Sequence, residues 1–117
     1  MKIVRIDHVQ LPIPPGGEAE ARRFYGGVLG LVEIPKPEAM RVRGGMWFEG
    51  GIHLGVEPDM RPSVKGHPAL VVEDVMAVKA VLVAAGFEWR DAPEEELPGV
   101  RRGHTKDPFG NRIEITE

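Results

Sequence analysis

The sequence contains no cysteine and only four histidines among its 117 residues. The absence of cysteine excludes disulfide bridges, thiolate nucleophiles and cysteine-ligated zinc, so any metal or acid–base chemistry must use histidine and carboxylates. Long apolar runs are also missing, since the longest, Val75–Phe87, is broken by Lys79 and Gly86 and is too short to cross a bilayer. No signal peptide is recognised at the N-terminus, and we expect a soluble, cytoplasmic protein.

Neither sign of charge dominates the chain. Fifteen basic residues against 18 acidic ones give a formal net charge of −3, which offers little attraction to nucleic acid or to an anionic membrane. We therefore expect no nucleic-acid partner and no membrane partner. The hydrophobic fraction of 42% is typical of a folded protein, and the length predicts one domain with one core.

Glycine and proline are abundant, at 15 and 11 residues, and divide the chain into short segments. In the first half, we predict a helix within EAEARRFYGGVLG and strands over Ile3–Leu11 (ended by Pro12), Leu31–Ile34, Met40–Phe48 and Ile52–Glu57. In the second half, we predict a helix after the N-cap Asp74 that ends at Gly86, and strands over His67–Val72, Phe87–Arg90, Val100–Lys106 and Arg112–Thr116.

Both halves therefore have the order β-α-β-β-β, and polar residues recur at equivalent places. His67 repeats His8, and Glu114 repeats His53, each pair being about 60 residues apart. Two copies are too few for an open repeat array. We interpret the chain as one domain of two modules, residues 1–58 and 66–117.

Strand alternation places these four side chains away from the apolar faces. His53 is flanked by Ile52 and Leu54, and Glu114 is flanked by isoleucines in the same way. Taken singly, each polar residue is what a solvated sheet face would carry. Their matched positions instead favour convergence of imidazoles and a carboxylate, a donor set that suits Fe, Mn, Ni, Co or Zn.

Several segments together resemble the vicinal oxygen chelate superfamily: IDHVQL, FYGGVLGL, IHLGV, GHPALVV and DPFGNRIEI. That superfamily includes glyoxalase I, extradiol dioxygenases, methylmalonyl-CoA epimerase, and fosfomycin- and bleomycin-resistance proteins. The resemblance covers nearly the whole chain. It implies an α+β fold of two βαβββ modules whose strands form a curved mixed sheet around a cavity, the glyoxalase/bleomycin resistance/dihydroxybiphenyl dioxygenase fold.

The resemblance also implies a divalent-metal cofactor, with ligands from the first and last strands of each module. Carried over to this sequence, the ligands are His8, His53, His67 and Glu114. His53 stands where glyoxalase I has a carboxylate, and the resemblance assigns proton abstraction in that enzyme to ligand carboxylates. This departure argues against the glyoxalase reaction. The catalytic candidates are Glu114, the remaining ligand carboxylate, and His53.

Four further residues are candidates for substrate binding. Arg43 and His104 each precede a phenylalanine by five residues, Trp47 lies in a predicted strand, and Arg102 follows a Pro-Gly turn. An arginine after such a turn can hold a carboxylate or a phosphate. The alternative for the three polar residues is solvated surface, and the alternative for Trp47 is a place in the core.

The expected function is that of a metal-dependent enzyme, of the glyoxalase/dioxygenase or lyase/isomerase kind. Its substrate is expected to be a small molecule with vicinal oxygens, and the metal is expected to act as a Lewis acid. Family members build the site within one chain or across a dimer, and we expect a homodimer. Two alternatives stay open: a non-catalytic small-molecule or antibiotic-binding protein of the bleomycin-resistance kind, and a fosfomycin-type thiol transferase.

Overall fold

The computed structural model describes all residues from 1 to 117, with two four-stranded sheets, each built from one half of the chain. The first half contains β1 (Val9–Ile13), α1 (Glu18–Ala21, continued by a π-helical segment, Arg22–Val28), β2 (Glu33–Ile34), α2 (Glu38–Arg41), β3 (Met46–Phe48) and β4 (Ile52–Val56). The second half contains β5 (Ala69–Val71), α3 (Val75–Ala84), β6 (Arg90–Asp91), β7 (Arg102–Lys106) and β8 (Arg112–Thr116).

The two sheets have the same topology. In each, the first strand pairs in parallel with the last strand of the same half, and the remaining neighbours are antiparallel. The strand orders are β1-β4-β3-β2 and β5-β8-β7-β6, and neither sheet closes on itself. The predicted α+β class with mixed sheets is thus confirmed.

One apolar cluster, to which both halves contribute, forms the core. Phe24 of the π-helical segment packs against Phe87 of the second half, with ring centroids 4.8 Å apart. Leu82 on α3 and the two isoleucines beside Glu114 are fully buried, as the helix and strand periodicities predict. None of the helices has the length and apolar character needed to cross a membrane.

The boundaries of α3 follow the sequence signals. The Asp74 carboxylate accepts a hydrogen bond from the backbone N–H of Ala77 at 3.1 Å, which satisfies one of the free N–H groups of the first turn. Gly86 follows the helix with a φ of +88°, a conformation that ends helices and favours glycine. Both predicted signals are confirmed.

The predictions for two strands of the first half are wrong. β1 begins at Val9, not Ile3, because the preceding residues have no strand beside them within the chain. It also passes through Pro12, which an edge strand tolerates because one row of its backbone groups faces no partner. The predicted strand Met40–Phe48 is reduced to β3, since Gly44 and Gly45 adopt positive φ values that interrupt extended structure.

Three predicted strands of the second half are shorter or shifted. β5 begins at Ala69, so His67 lies just before the strand, separated from it by Pro68, whose nitrogen has no hydrogen to donate. β6 lies at Arg90–Asp91 instead of Phe87–Arg90, and β7 begins at Arg102 instead of Val100. Phe87 packs against the core instead of pairing in the sheet.

A buried hydrogen-bond network joins the two halves at the β7–β8 turn. The Asp107 carboxylate accepts from the Tyr25 hydroxyl at 2.6 Å, from Asn111 Nδ2 at 2.8 Å, and from the backbone N–H groups of Phe109 and Asn111. Asn111 Nδ2 also donates to the Pro12 carbonyl of β1. Burial and the neighbouring Asp107 charge raise the pKa of Tyr25. The network therefore connects β1 and the π-helical segment with the second sheet.

Candidate metal centre

Three potential metal ligands meet on one face of the second sheet. The register of the β7–β8 hairpin places His104 directly opposite Glu114, and His67 comes from the segment that enters β5 beside β8. The Nε2 atoms of His104 and His67 lie 2.9 Å and 3.6 Å from Glu114 Oε1. One donor atom from each residue lies within 4.8 Å of the other two. We call these three residues the His-His-Glu cluster.

The orientation of His67 leaves a ring nitrogen available for a ligand. Its Nδ1 is 2.9 Å from the carbonyl oxygen of Lys65, an acceptor, so the ring proton belongs on Nδ1. The Nε2 lone pair then points toward Glu114. A histidine held by its second nitrogen in this way is typical of metal sites, because the outer contact fixes both tautomer and ring direction.

Glu114 is held in place by Arg102. The guanidinium donates from Nη1 to Glu114 Oε1 at 3.1 Å and from Nη2 to Glu96 at 2.8 Å. Only 10% of the Arg102 side chain is exposed. The sequence predicts that Arg102 binds substrate, and the structure places it against two carboxylates, where it orients the carboxylate of the cluster.

His104 has two competing neighbours. Its Nε2 lies 2.9 Å from the Glu114 carboxylate and 3.0 Å from Arg112 Nη2, so it donates to the first in one tautomer and accepts from the second in the other. Burial lowers the pKa of His104, and the Arg112 charge lowers it further. The ring is therefore neutral at pH 7, and its Nδ1 is buried without a partner.

The two histidines of the first half form a separate pair. The His53 ring is stacked between His8, at a centroid distance of 4.0 Å, and Trp47, at 4.3 Å. His8 Nδ1 contacts the Asp7 carboxylate at 2.8 Å, which leaves its Nε2 available. Burial and the adjacent His8 lower the pKa of His53. The three rings line a cavity of about 440 Å³.

Within one chain, the predicted ligands are thus divided between the two sheets. His67 and Glu114 lie in the His-His-Glu cluster, whereas His8 and His53 lie outside it. Convergence of all four on one ion stays a prediction. Arg43 lies in the exposed turn after α2 and contacts no other side chain by hydrogen bond or ion pair.

The chemistry of the His-His-Glu cluster fits a divalent transition metal. Two imidazole nitrogens and one carboxylate oxygen are the donor set of Fe(II) sites with open positions and are also suitable for Mn, Ni, Co and Zn. The spacings of 2.9 and 3.6 Å between donor atoms match ligands that each lie about 2.0–2.2 Å from a shared ion. His104 is predicted from the sequence to bind substrate, and its place among the potential metal ligands is not predicted.

Comparison with known proteins identifies relatives over the whole chain. The model of the Glyoxalase/Bleomycin resistance protein/Dioxygenase superfamily matches residues 5–115. A solved glyoxalase family protein from Bacillus anthracis is 46% identical, with a TM-score of 0.92 and coverage of 100% of this chain and 97% of that chain. No curated protein matches the chain.

More distant structures share the fold. An antibiotic binding protein from Streptomyces sp. CB03234 is 22% identical, with a TM-score of 0.70 and coverage of 98% of this chain and 96% of its own. A glyoxalase family protein from Enterococcus faecalis is 19% identical, with a TM-score of 0.74 and 97% coverage of both chains. At this level of identity the similarity concerns architecture only.

Proposed function

Because the chain belongs to the Glyoxalase/Bleomycin resistance protein/Dioxygenase superfamily, we propose that it is a divalent-metal-dependent enzyme acting on a small molecule with two neighbouring oxygen atoms. The family expected from the sequence motifs is confirmed. The observation that carries the proposal is the His-His-Glu cluster, whose donor atoms lie within 4.8 Å of one another. The absence of cysteine supports our further proposal that the enzyme acts in the cytoplasm.

The residues of the site have different roles in the proposed reaction. A divalent ion held by His67, His104 and Glu114 would supply Lewis-acid stabilisation of charge on the substrate oxygens. The Lys65 carbonyl orients His67, and the Arg102 guanidinium orients Glu114, before substrate binds. Glu114, as the carboxylate of the cluster, and His53, kept neutral by burial, are our candidates for proton transfer.

We propose that the enzyme is a homodimer in which the His8–His53 pair of one copy faces the His-His-Glu cluster of the other. Two observations support this assembly. Both ligand groups lie on separate, open sheets of one chain. The segment before β1 exposes Ile3, Val4 and Ile6 almost fully, and exposed apolar side chains beside an open strand edge favour pairing with another chain.

The metal proposal predicts tight, stoichiometric binding. Protein stripped with chelator and then titrated with Fe(II), Mn, Ni, Co or Zn should bind about one ion per chain. At a free-ion concentration 100 times the dissociation constant, binding should stabilise the fold by about 2.7 kcal/mol and raise the melting temperature by about 10 °C. Elemental analysis and thermal melts provide the measurement, and no uptake of any of the five ions would refute the proposal.

The shared site predicts complementation between two defective variants. His8→Ala and His67→Ala should each weaken metal binding by about tenfold or more. In a heterodimer of the two, one site carries both substitutions and the other carries neither. Refolding a mixture should therefore restore one tight site per heterodimer. Each variant refolded alone is the control. Light scattering that shows a monomer, or a mixture that behaves like its components, would contradict the shared site.

Oxygen consumption distinguishes the enzymatic classes that remain. Uptake with a panel of catechols in the metal-loaded protein would favour a dioxygenase, and turnover of a vicinal dioxygen substrate without uptake would favour an isomerase or lyase. An antibiotic binding protein shares this fold, and the competing proposal is sequestration of a small molecule. Ligand binding that is unchanged after chelation, with no turnover, would favour sequestration.

A further inference from the structure

A second cavity lies beside His104, and most of the charged side chains that line it are positive. It has a volume of about 230 Å³ and is lined by Val64, Glu88, Arg90, His104, Thr105, Lys106 and Arg112. Three of these side chains are cationic at neutral pH and one is anionic. The Glu88 carboxylate lies 3.7 Å from Lys106 Nζ, and neither arginine has a carboxylate within 4.0 Å.

The strand register concentrates this charge on the face that bears the His-His-Glu cluster. Arg90 is directly opposite His104, and Lys106 is directly opposite Arg112. Like charges at directly opposed positions, such as Lys106 and Arg112, destabilise a sheet, and an anion bound between them would offset this repulsion. No side chain of the protein provides one for the two arginines.

Arg112 has the strongest requirement for a partner. Its side chain is partly buried, its Nε is shielded from solvent without any acceptor, and its Nη2 contacts the His104 ring instead of a carboxylate. A guanidinium presents several N–H groups in a planar fork that matches the two oxygens of a carboxylate or phosphate. An oxyanion in the cavity would satisfy both the charge and the free donor.

We propose that Arg90, Lys106 and Arg112 bind the carboxylate or phosphate group of the substrate, beside the metal centre. The assignment of this anion to the substrate rests on the proposed function, whereas the anion site itself does not. Arg112 and Glu114 are two residues apart on one face of β8, which corresponds to about 7 Å. The substrate is therefore a small acid whose anionic group lies a few bonds from the oxygens that bind the ion.

The test uses chelator-treated protein, so that anion binding is measured without metal. Inorganic phosphate and malonate, titrated separately at constant ionic strength, should each be followed by the arginine Nε–Hε signals in NMR spectra. We expect saturable shifts of the Arg90 and Arg112 signals. Tighter binding of one probe identifies the group as phosphate or carboxylate. Shifts that fail to saturate with both probes would overturn the proposal.

Matched variants separate this site from general surface charge. Arg112→Gln should weaken binding of the preferred probe by about tenfold or more, whereas Arg41→Gln, which removes the same charge from the first half of the chain, should leave it unchanged. Arg112→Lys keeps the charge but not the fork and should be intermediate. Equal affinity in Arg112→Gln and wild type, with both folded by circular dichroism, would overturn the proposal.

The two sites should also be separable from each other. Arg112→Gln should still bind metal, whereas Glu114→Gln should lose metal yet bind phosphate at least as tightly, because a nearby negative charge has been removed. If the metal proposal fails, no variant takes up metal, but the phosphate result still stands. If the anion proposal fails, metal uptake is unaffected and the arginine variants bind the probes as wild type does.

Discussion

Glu114→Gln is expected to lower the affinity for divalent metal by more than about 100-fold. The carboxylate is the one anionic donor of the His-His-Glu cluster, and even residues that only orient a ligand typically contribute 10- to 100-fold. The amide that replaces it is neutral and cannot balance the charge of the ion. Elemental analysis after gel filtration should show metal falling from about one ion per chain to trace levels.

A neighbouring glutamate provides the control for this variant. Glu96 also accepts a hydrogen bond from Arg102, at 2.8 Å, but it lies outside the cluster and its side chain is 55% exposed. Glu96→Gln should keep its metal and the accompanying gain in melting temperature. A Glu114→Gln protein that binds metal as tightly as Glu96→Gln would show that the cluster is not the metal centre.

Asp107→Ala is expected to destabilise the protein by about 3–5 kcal/mol. The carboxylate is 4% exposed and accepts four hydrogen bonds, so its removal leaves several donors without partners inside the protein. Folded domains are stable by only about 5–15 kcal/mol in total. Urea denaturation of the variant and of wild type, both without metal, should therefore show a large decrease in the midpoint.

Tyr25→Phe gives a graded comparison, because it removes one of the four donors and keeps the ring. It should cost about 1.5–3 kcal/mol, the range for a hydrogen bond to a charged group. The Tyr25 hydroxyl lies 2.6 Å from Asp107 Oδ2, so this variant removes one hydrogen bond from the same carboxylate. If the free energy of unfolding of Asp107→Ala were within about 1 kcal/mol of the wild-type value, the hydrogen-bond network would not be what joins the two halves.

Much of the architecture can be predicted from local signals. The Asp74 cap, the Gly86 terminus and the burial of the isoleucines around Glu114 depend on neighbours in sequence or on strand alternation. The extent of the first strand cannot be predicted in this way. Whether Pro12 ends a strand depends on whether that strand lies at an edge or in the interior of the sheet. That position is a property of the assembled sheet.

The candidate site is predictable only in part, for a similar reason. His67 and Glu114 were singled out by the repeat, but the contribution of His104 depends on the pairing of β7 with β8. A turn centred on Phe109 would have placed His104 opposite Glu114, so the signal was present in the Pro-Phe-Gly-Asn sequence. The uncompensated charge of Arg90 and Arg112 has no comparable local signal, because β6 lies far from β8 in the sequence.

The pairing of β7 with β8 determines whether the loop between these two strands tolerates insertions and deletions. Alternate residues of a strand face opposite sides, so a slip of one residue exchanges the two faces. Loss of one residue between Lys106 and Arg112 would turn Ile113 toward the site and bury Glu114 in the core. The connection from β5 to α3 lies outside the hairpin, so a change in its length leaves the pairing of β7 with β8 unaltered. Length variation compatible with the site is thus confined to the connections outside this hairpin.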